Sequence, residues 1–271
     1  MAPSGLAILL GAGPTTGAGI ARVLASPSHG NLAVALLSRT GSASLADDIS
    51  KTSEGGTLKA FQTDTTRKSL DAAFADIRKW SASLDAPADL KLKLAIFNIK
   101  HSHKTPFLSE DPNAFSESLE TYVTGAMNFS QLALRWMIEQ YPAHTPEESP
   151  LQKRGTLVFT GTLGSLRTNT GFGAYGAGRA GVRMLAQSLA REFSSQGVHV
   201  VHAIANGGIT DKYHDWHGGE EGKGKGEDAE KVMRGEKIRA ESVGKLYLNM
   251  MEAESDLWVH ELDMRPAAEK F

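Results

Sequence analysis

The sequence predicts an α/β fold in which helices cover both faces of a doubly wound parallel sheet. Short apolar runs alternate along the chain with segments of helical spacing. These runs are apolar on both faces, which is typical of strands buried within a parallel sheet. The length of 271 residues suits one α/β domain. We therefore expect residues 1–271 to form a single domain around a sheet of about seven strands.

Each predicted element follows from a run or a spacing in the sequence. Apolar runs predict strands at 6–10, 32–37, 58–62, 92–98, 155–161 and 198–205. Helical spacing predicts helices at 17–25, 44–51, 70–84, 115–140 and 175–193. Residues 142–150 contain three prolines and are expected to form a loop. The apolar residues 257–259 again have strand character.

The composition excludes several classes of function. Lys and Arg total 29 and Asp and Glu total 31, so nothing indicates a nucleic-acid partner. The chain has no cysteine, which rules out disulfides, thiolate nucleophiles and cysteine-ligated metals. The N-terminus lacks a basic region, and the apolar runs fall short of a membrane span. We expect no membrane partner and a cytoplasmic location.

A glycine-rich turn, GAGPTTGAG at 11–19, follows the first strand and opens the first helix. In that setting glycines let the backbone approach a pyrophosphate at the helix N-terminus. The sequence therefore predicts a dinucleotide site. Its candidate cofactor-binding residues are Gly11, Gly13, Thr15, Thr16 and Gly17.

The end of the second strand, LLSRT, indicates which dinucleotide is bound. An acidic residue at this position would bind a ribose 2′-hydroxyl, whereas arginine accommodates a 2′-phosphate. The residue is Arg39, flanked by Ser38 and Thr40. A guanidinium binds phosphate well because its forked donors match the phosphate oxygens. NADP(H) is therefore favoured over NAD(H).

The segment 155–193, with Tyr175 in YGAGR, resembles the active-site strand and helix of the short-chain dehydrogenase/reductase family. The resemblance covers nearly the whole chain and implies a Rossmann-like fold. Asp64 falls where the family contacts adenine, FNIK matches the loop after the fourth strand, and NGGIT matches the turn after the sixth. Further implied cofactor contacts are Ser38, Arg39, Asp64, Thr65, Asn98, Tyr175, Arg179, Gly207 and Ile209.

The chain departs from the family pattern at several positions. The family has a serine, then a tyrosine thirteen residues on, then a lysine four residues later. Here these residues are Thr162, Tyr175 and Arg179. The asparagine of the family's proton relay falls on Tyr122.

The family's TGxxxGxG motif fits this chain in two registers. One register uses Gly11, Thr15 and Gly17, and the other uses Gly13, Gly17 and Gly19. The spacing of strand and helix favours the first.

The resemblance implies a reaction for these residues. Tyr175 would donate a proton to a carbonyl oxygen as hydride arrives from the nicotinamide, and Thr162 would hydrogen-bond that oxygen. Arg179 would supply a positive charge and could bind the nicotinamide ribose, but guanidinium stays protonated and passes no proton on. The leading hypothesis is an NADPH-dependent carbonyl reductase, or the reverse alcohol dehydrogenase, acting on a small organic substrate without a metal.

Two other hypotheses remain open. One is an isomerase, dehydratase or cyclisation enzyme of the same fold with no net redox change. The other is an NADP(H)-binding protein without catalysis. The resemblance also implies a homodimer or homotetramer, often packed through the fourth and fifth helices, to which the apolar residues of 115–137 could contribute.

The remaining polar candidates lie in loops. Residues 215–228 contain five glycines among mixed charges, so 211–240 is either a mobile substrate lid or a solvated insertion. At its base, Tyr213, His214, Trp216 and His217 shape a pocket or anchor the loop. His101 and His103 either contact substrate, bind a metal or are solvated, and no cysteine or paired carboxylate nearby supports a metal.

Overall fold

A computed structural model of the chain describes residues 2–85, 90–141, 151–211 and 226–269. Within these residues, seven strands form one parallel sheet in the order β3-β2-β1-β4-β5-β6-β9. They are β1 (Leu6–Leu10), β2 (Ala33–Ser38), β3 (Leu58–Gln62), β4 (Leu92–Phe97), β5 (Gly155–Thr162), β6 (Val198–Ala205) and β9 (Glu261–Met264). Two short strands, β7 (Ile209–Thr210) and β8 (Ile238–Arg239), pair separately.

Helices cover both faces of this sheet. They are α1 (Thr16–Ala25), α2 (Ala43–Thr52), α3 (Arg67–Ala82), α4 (Pro112–Leu119), α5 (Gly125–Glu139), α6 (Gly173–Phe193), α7 (Glu227–Met233) and α8 (Ala240–Glu252). One core packs α3, α5 and α6 on the face that carries Leu6, Ile8 and Leu10. A second core packs α1, α2 and α8 on the face that carries Ala7 and Leu9. The alternation of strands and helices therefore gives the predicted doubly wound fold.

The strand order reverses between β1 and β4. The chain runs outward from β1 through β2 to β3, then returns to β4 on the other side of β1. The crossovers diverge at this point, so the carboxyl ends of β1 and β4 border a crevice. In open parallel sheets, ligands bind at such a switch point.

The prediction for the last strand is wrong in position. The structure places β9 at Glu261–Met264, after the predicted run at 257–259. Leu257 is 72% exposed and Val259 is 38% exposed, so the apolar run faces outward. Among the described strands, β9 pairs with β6 alone, at the edge of the sheet, where polar residues such as Glu261 and Asp263 are tolerated.

The helix predicted at 115–140 is confirmed over Pro112–Glu139: α4, a π-helical turn at Glu120–Thr124 and α5 follow one another without a break in the helical backbone. Helix α8, for which no element was predicted, packs closely against α1. A side chain at Gly19 would overlap Ala240, so glycine is required for this helix contact.

Candidate active site

The predicted site residues lie at one edge of the sheet. They follow the carboxyl ends of the strands: Gly11, Gly13, Thr15, Thr16 and Gly17 after β1, Ser38 and Arg39 at β2, Asp64 and Thr65 after β3, Asn98 after β4, Thr162 at β5, and Gly207 and Ile209 after β6. Tyr175 and Arg179 approach this edge from α6. The fold thus brings together residues that are far apart in the sequence.

Gly11 and Asn98 join the ends of β1 and β4 at the switch point. Gly11 has a φ of +95°, and a Cβ there would overlap the carbonyl oxygen of Asn98. The side-chain amide of Asn98 donates a hydrogen bond to the carbonyl of Gly11 at 3.0 Å. Both the left-handed backbone and the close approach require glycine at position 11.

The start of α1 fits a phosphate group. Thr15 precedes the helix, its side chain makes no capping hydrogen bond, and the first turn has no acidic residue. Apart from its own chain neighbours, no described residue has an atom within 4 Å of the Cβ position of Gly13, whereas a Cβ on Gly17 would lie 2.9 Å from the Cα of Ala12. The uncapped backbone amides therefore border an open space, as an anion site at a helix N-terminus requires.

At the end of β2, Arg39 is exposed, and its guanidinium has no partner among the described residues. Its carbonyl accepts a hydrogen bond from Gln62 at 2.9 Å, which fixes the backbone. The Ser38 hydroxyl accepts from the amide of Gly41 at 3.1 Å. The Arg39 side chain is therefore available to an anionic ligand.

Asp64 and Thr65 follow β3 on the same side. A carboxylate oxygen of Asp64 accepts hydrogen bonds from the amide of Thr66 at 2.8 Å and from its hydroxyl at 2.6 Å. These hydrogen bonds hold the pKa of Asp64 below its usual value. The carbonyl of Thr65 accepts from Asn128 at 3.2 Å, so this loop is bound to α5.

The hydroxyls of Thr162 and Tyr175 meet at the end of β5. Thr162 Oγ1 lies 2.6 Å from the phenolic oxygen of Tyr175, and both side chains are half-buried. A Cβ on Gly164 would lie 2.5 Å from the Tyr175 ring, so glycine makes room for the ring beside the strand end. The ring also packs against Phe172, at 6.0 Å between centroids. Strand and helix thus hold two oriented hydroxyls at the crevice.

Arg179 lies one helical turn beyond Tyr175 and is only 4% exposed. Its two terminal nitrogens donate to the carbonyls of Thr160 and Ile99, each at 2.9 Å. Its guanidinium carbon lies 4.4 Å from the ring centre of Tyr122 and 5.4 Å from that of Tyr175. The charge therefore stands beside Tyr175, while the fork links the ends of β4 and β5.

Tyr122 is fully buried in the π-helical turn. Its hydroxyl accepts from the amide of His101 at 2.8 Å and donates to the carbonyl of the same residue. Burial raises the pKa of Tyr122, although the nearby charge of Arg179 lowers it. Tyr122 thus holds the loop after β4 in place.

The two loops at the crevice are bonded to each other. The amide of Thr105 donates to the carbonyl of Gly171 at 2.9 Å. His103 pairs with Glu110, at 2.9 Å between Nε2 and Oε1. The His101 ring lies edge-on to Tyr122 at 6.3 Å. In the described part of the chain, no group of three His, Asp or Glu residues is arranged to hold a metal.

On the far side of the crevice, Gly207 has a φ of +157°, and a Cβ there would lie 2.5 Å from Pro266. Ile209 follows and begins β7, which pairs with β8. The four residues Tyr213, His214, Trp216 and His217, and much of the predicted lid at 211–240, lie outside the described residues.

At the described ends of that segment, Asp211 accepts two hydrogen bonds from Arg22, at 2.8 and 3.1 Å, and Asp228 accepts one from Thr210 at 2.9 Å. The ion pair between Arg22 and Asp211 was not predicted from the sequence, because no local pattern relates two residues that lie so far apart in the chain.

A family model described as short chain dehydrogenase matches residues 6–215. The chain therefore belongs to the short-chain dehydrogenase family, whose membership supports an oxidoreductase. Among curated proteins, no relative matches the chain.

Solved structures share the fold over almost the full length. A short-chain dehydrogenase from Rhodopseudomonas palustris is 22% identical, with a TM-score of 0.70 over 97% of this chain and 99% of that one. An alcohol dehydrogenase from Thermococcus sibiricus, complexed with 5-hydroxy-NADP, is 17% identical, with a TM-score of 0.71 over 98% of each chain.

A 3-oxoacyl-[acyl-carrier protein] reductase from Brucella melitensis, in complex with NAD, is 15% identical, with a TM-score of 0.72 over 97% of this chain and 96% of that one. The fold is thus one that binds nicotinamide cofactors, and these two neighbours differ in which one they hold. Among the helices of the described residues, none is long and apolar enough to span a membrane.

Proposed function

We propose that this protein is an NADPH-dependent oxidoreductase that interconverts a carbonyl and an alcohol of a small organic substrate, with Tyr175 as the proton donor. The observation that carries the proposal is the 2.6 Å contact between the hydroxyls of Thr162 and Tyr175 at the carboxyl edge of the sheet. Two hydroxyls held so close can bind the same substrate oxygen. One then donates the proton, and the other orients the carbonyl.

The residues around this pair support the proton transfer. When bound, NADPH supplies the hydride that reduces the carbonyl carbon. Tyr175 gives its hydroxyl proton to the carbonyl oxygen, which leaves a phenolate. The hydroxyl of Thr162 can donate to that phenolate, and the charge of Arg179 beside the ring stabilises it. The group is restored by a proton from solvent.

The contacts of Arg179 and Tyr122 do not suit these residues to pass a proton to Tyr175. The guanidinium stays protonated, and its terminal nitrogens are bonded to Thr160 and Ile99. The Tyr122 hydroxyl is bonded to the backbone of His101 on both its donor and acceptor sides. Since the Tyr175 side chain is half-buried, water that enters the crevice is the proposed proton source.

The choice of NADPH rests on Arg39. Its exposed guanidinium, flanked by the hydroxyls of Ser38 and Thr40, stands where an acidic residue would select NADH. A 2′-phosphate would find forked donors and no competing carboxylate partner among the described residues. The uncapped start of α1 and the open space over Gly13 fit the pyrophosphate of the same cofactor.

The proposal is tested by following NADPH absorbance while the purified protein is mixed with a panel of aldehydes and ketones. Consumption that depends on the substrate and is lost in Tyr175→Phe supports the reductase. Product formation without net loss of NADPH would instead indicate an isomerase, dehydratase or cyclisation enzyme. Tight NADPH binding without turnover of any substrate would indicate a cofactor-binding protein.

A further inference from the structure

His202 is a buried histidine in β6 that the proposed reaction does not use. It is 1% exposed, and its Nδ1 lies 3.1 Å from a carboxylate oxygen of Glu261 on the neighbouring strand β9. Glu261 also accepts two hydrogen bonds from Arg183 of α6, both at 2.7 Å. Because a carboxylate only accepts, the Nδ1 of His202 carries the proton, and its Nε2 presents a lone pair.

His202 and Arg179 each have a buried polar atom that lacks a hydrogen-bond partner among the described residues. Among the described residues, neither the Nε2 of His202 nor the Nε of Arg179 has a hydrogen-bond partner. The first is an acceptor and the second is a donor, so their requirements are complementary. A buried polar atom without a partner is unusual enough in a folded protein to need an explanation.

Both side chains contact the same short stretch of β5. A Cβ on Gly161 would overlap the Nε2 of His202, so the imidazole lies directly against this glycine. The carbonyl of the preceding residue, Thr160, accepts from Arg179. Any larger residue at position 161 would push the imidazole away. Gly161 therefore admits the imidazole of His202 beside the strand, next to the residue whose carbonyl binds Arg179.

The charges around His202 favour its neutral form. Burial lowers the pKa of His202, and the cations Arg183 and Arg179 of α6 lower it further. Glu261 of β9 is the group that raises it. Arg179 is thus close enough for its charge to act on the imidazole. A neutral imidazole keeps the Nε2 lone pair that the Nε–H of Arg179 requires.

We infer that His202 is a positioning residue for Arg179: Glu261 holds its imidazole with the proton on Nδ1, and its Nε2 accepts from the Nε–H of Arg179 through one bound water. Such a water would satisfy both unsatisfied atoms. The guanidinium would then be held on three sides, by Thr160, by Ile99 and by His202. The expected effect on turnover rests on the proposed function, because Arg179 acts on the reaction through its position beside Tyr175. The contact between His202 and Arg179 does not depend on that function.

The structural part is tested by NMR on the full-length protein with nitrogen-15-labelled histidine. The wild-type spectrum should show the Nε2 of His202 as the unprotonated nitrogen. In Arg179→Met the titration midpoint of His202 should rise, since a nearby positive charge is lost. In Arg179→Lys, which keeps the charge, the midpoint should stay low.

His199 is the internal control. It lies on the same strand and is also buried, but its ring nitrogens face the carbonyls of Met250 and Val259. Its midpoint should not change in the Arg179 variants. A proton on Nε2 of His202 in the wild-type protein would overturn the inference, and so would an unchanged His202 midpoint in Arg179→Met. If that variant does not fold, the wild-type tautomer alone decides.

The functional part compares two substitutions of His202. Glutamine can still offer an acceptor near the Nε2 position, whereas leucine cannot. We expect His202→Leu to lower kcat for carbonyl reduction by about tenfold or more, since misplacing a group near the reacting atoms is costly. His202→Gln should recover a large part of that loss.

The pH profile separates positioning from a purely structural role. In the wild-type protein, kcat should fall on the acid side as His202 gains its second proton and loses the acceptor. In His202→Gln, this acid limb should disappear. A leucine variant with wild-type kcat across the pH range would overturn the inference. The NMR result needs no turnover, so a failed reductase assay would not be mistaken for a failed inference.

Discussion

The hydroxyl of Tyr175 lies 2.6 Å from the Oγ1 of Thr162, close enough for a strong O–H···O hydrogen bond. Thr162 is the last residue of β5, and Tyr175 lies in the first turn of α6. The contact therefore depends on the end of a strand and the start of a helix, both held by the sheet. A pair of hydroxyls fixed in this way is suited to bind and protonate one oxygen.

Tyr175→Phe should separate catalysis from cofactor binding. The change removes only the hydroxyl, so packing against Phe172 and Tyr122 remains. Carbonyl reduction should fall by about 10²–10⁴-fold, the usual contribution of general acid catalysis, with little change in NADPH affinity. Steady-state rates and a fluorescence titration of NADPH measure the two effects.

Thr162→Val should reduce the rate less, because it removes one orienting hydrogen bond and keeps the shape of the side chain. Thr160→Val is its matched control, since the Thr160 hydroxyl bonds Tyr247 on the other face of β5. The control should alter stability rather than turnover. Normal turnover in Tyr175→Phe would mean that another group supplies the proton.

Arg39→Asp should change the choice of cofactor. The wild-type protein should bind NADPH at least about tenfold more tightly than NADH, because the guanidinium can bind the 2′-phosphate. The aspartate would repel that phosphate and could accept from the 2′-hydroxyl of NADH. Calorimetric titration with each cofactor measures the ratio. The control is Arg191→Asp, which makes the same change of charge at an exposed position of α6 and should leave the affinity ratio unaltered. Equal wild-type affinities would contradict the prediction.

Arg179→Lys keeps the positive charge but should destabilise the protein. The guanidinium bridges the carbonyls of Thr160 and Ile99, and one ammonium on a flexible stem does not reproduce a planar fork. The loss of one hydrogen bond to a charged group costs about 1.5–3 kcal/mol of unfolding free energy. Urea unfolding measures it, with the exposed change Arg191→Lys as a control. A lysine variant of wild-type stability would show that the fork is dispensable.

Local patterns were enough to predict the fold and the edge of the sheet that bears the candidate site. Strands β1, β2 and β5 are buried on both faces, and strands of this kind are mostly apolar along their whole length. Such continuous apolar runs can be recognised in the sequence. Helix α8 has buried apolar residues at helical spacing, such as Val243 and Tyr247, that are also visible in the sequence. Strand β9 carries a weaker signal, because edge strands tolerate polar residues.

The partners of the site residues were not predictable in the same way. The spacing of Tyr175 and Arg179 places them on one helical face, but it does not show that Arg179 donates to Thr160 and Ile99. The pairing of His202 with Glu261 joins residues 59 positions apart. Such contacts depend on strand register, which is fixed by the whole sheet and not by a local motif.

The buried histidines of β6 should make the protein less stable in mild acid. Burial lowers the pKa of both His199 and His202 in the folded state, while an unfolded histidine has a pKa near 6.5. Between these values the unfolded chain binds more protons, so stability falls as the pH decreases below 6.5. The midpoint of urea unfolding should therefore be lower at about pH 5.5 than at about pH 7.5.

His202→Gln provides the control for this pH effect, because glutamine does not titrate. Its unfolding midpoint should depend less on pH over the same range, with the remaining dependence due to His199 and other groups. Equal midpoints for the wild-type protein at the two pH values would show that neither histidine is held neutral by burial.

Gly178→Ala should destabilise the protein even though alanine is the better helix former. In the middle of a helix the change gains about 0.5–1 kcal/mol from backbone entropy. Here, however, the new Cβ would lie 2.7 Å from the ring of Tyr122. That ring is fully buried and its hydroxyl is bonded to His101, so it has no room to move away. Overpacking of this kind costs about 1–3 kcal/mol, which exceeds the gain.

Gly173→Ala makes the same chemical change in the same helix without the clash. Gly173 begins α6, and apart from its chain neighbours and the local backbone of the helix no described atom lies within 4 Å of its Cβ position. This variant should therefore match or exceed the wild-type unfolding midpoint, whereas Gly178→Ala should fall below it. Thermal and urea unfolding of the two variants measure the difference. A Gly178→Ala protein as stable as Gly173→Ala would mean that α6 is not packed against Tyr122 as described.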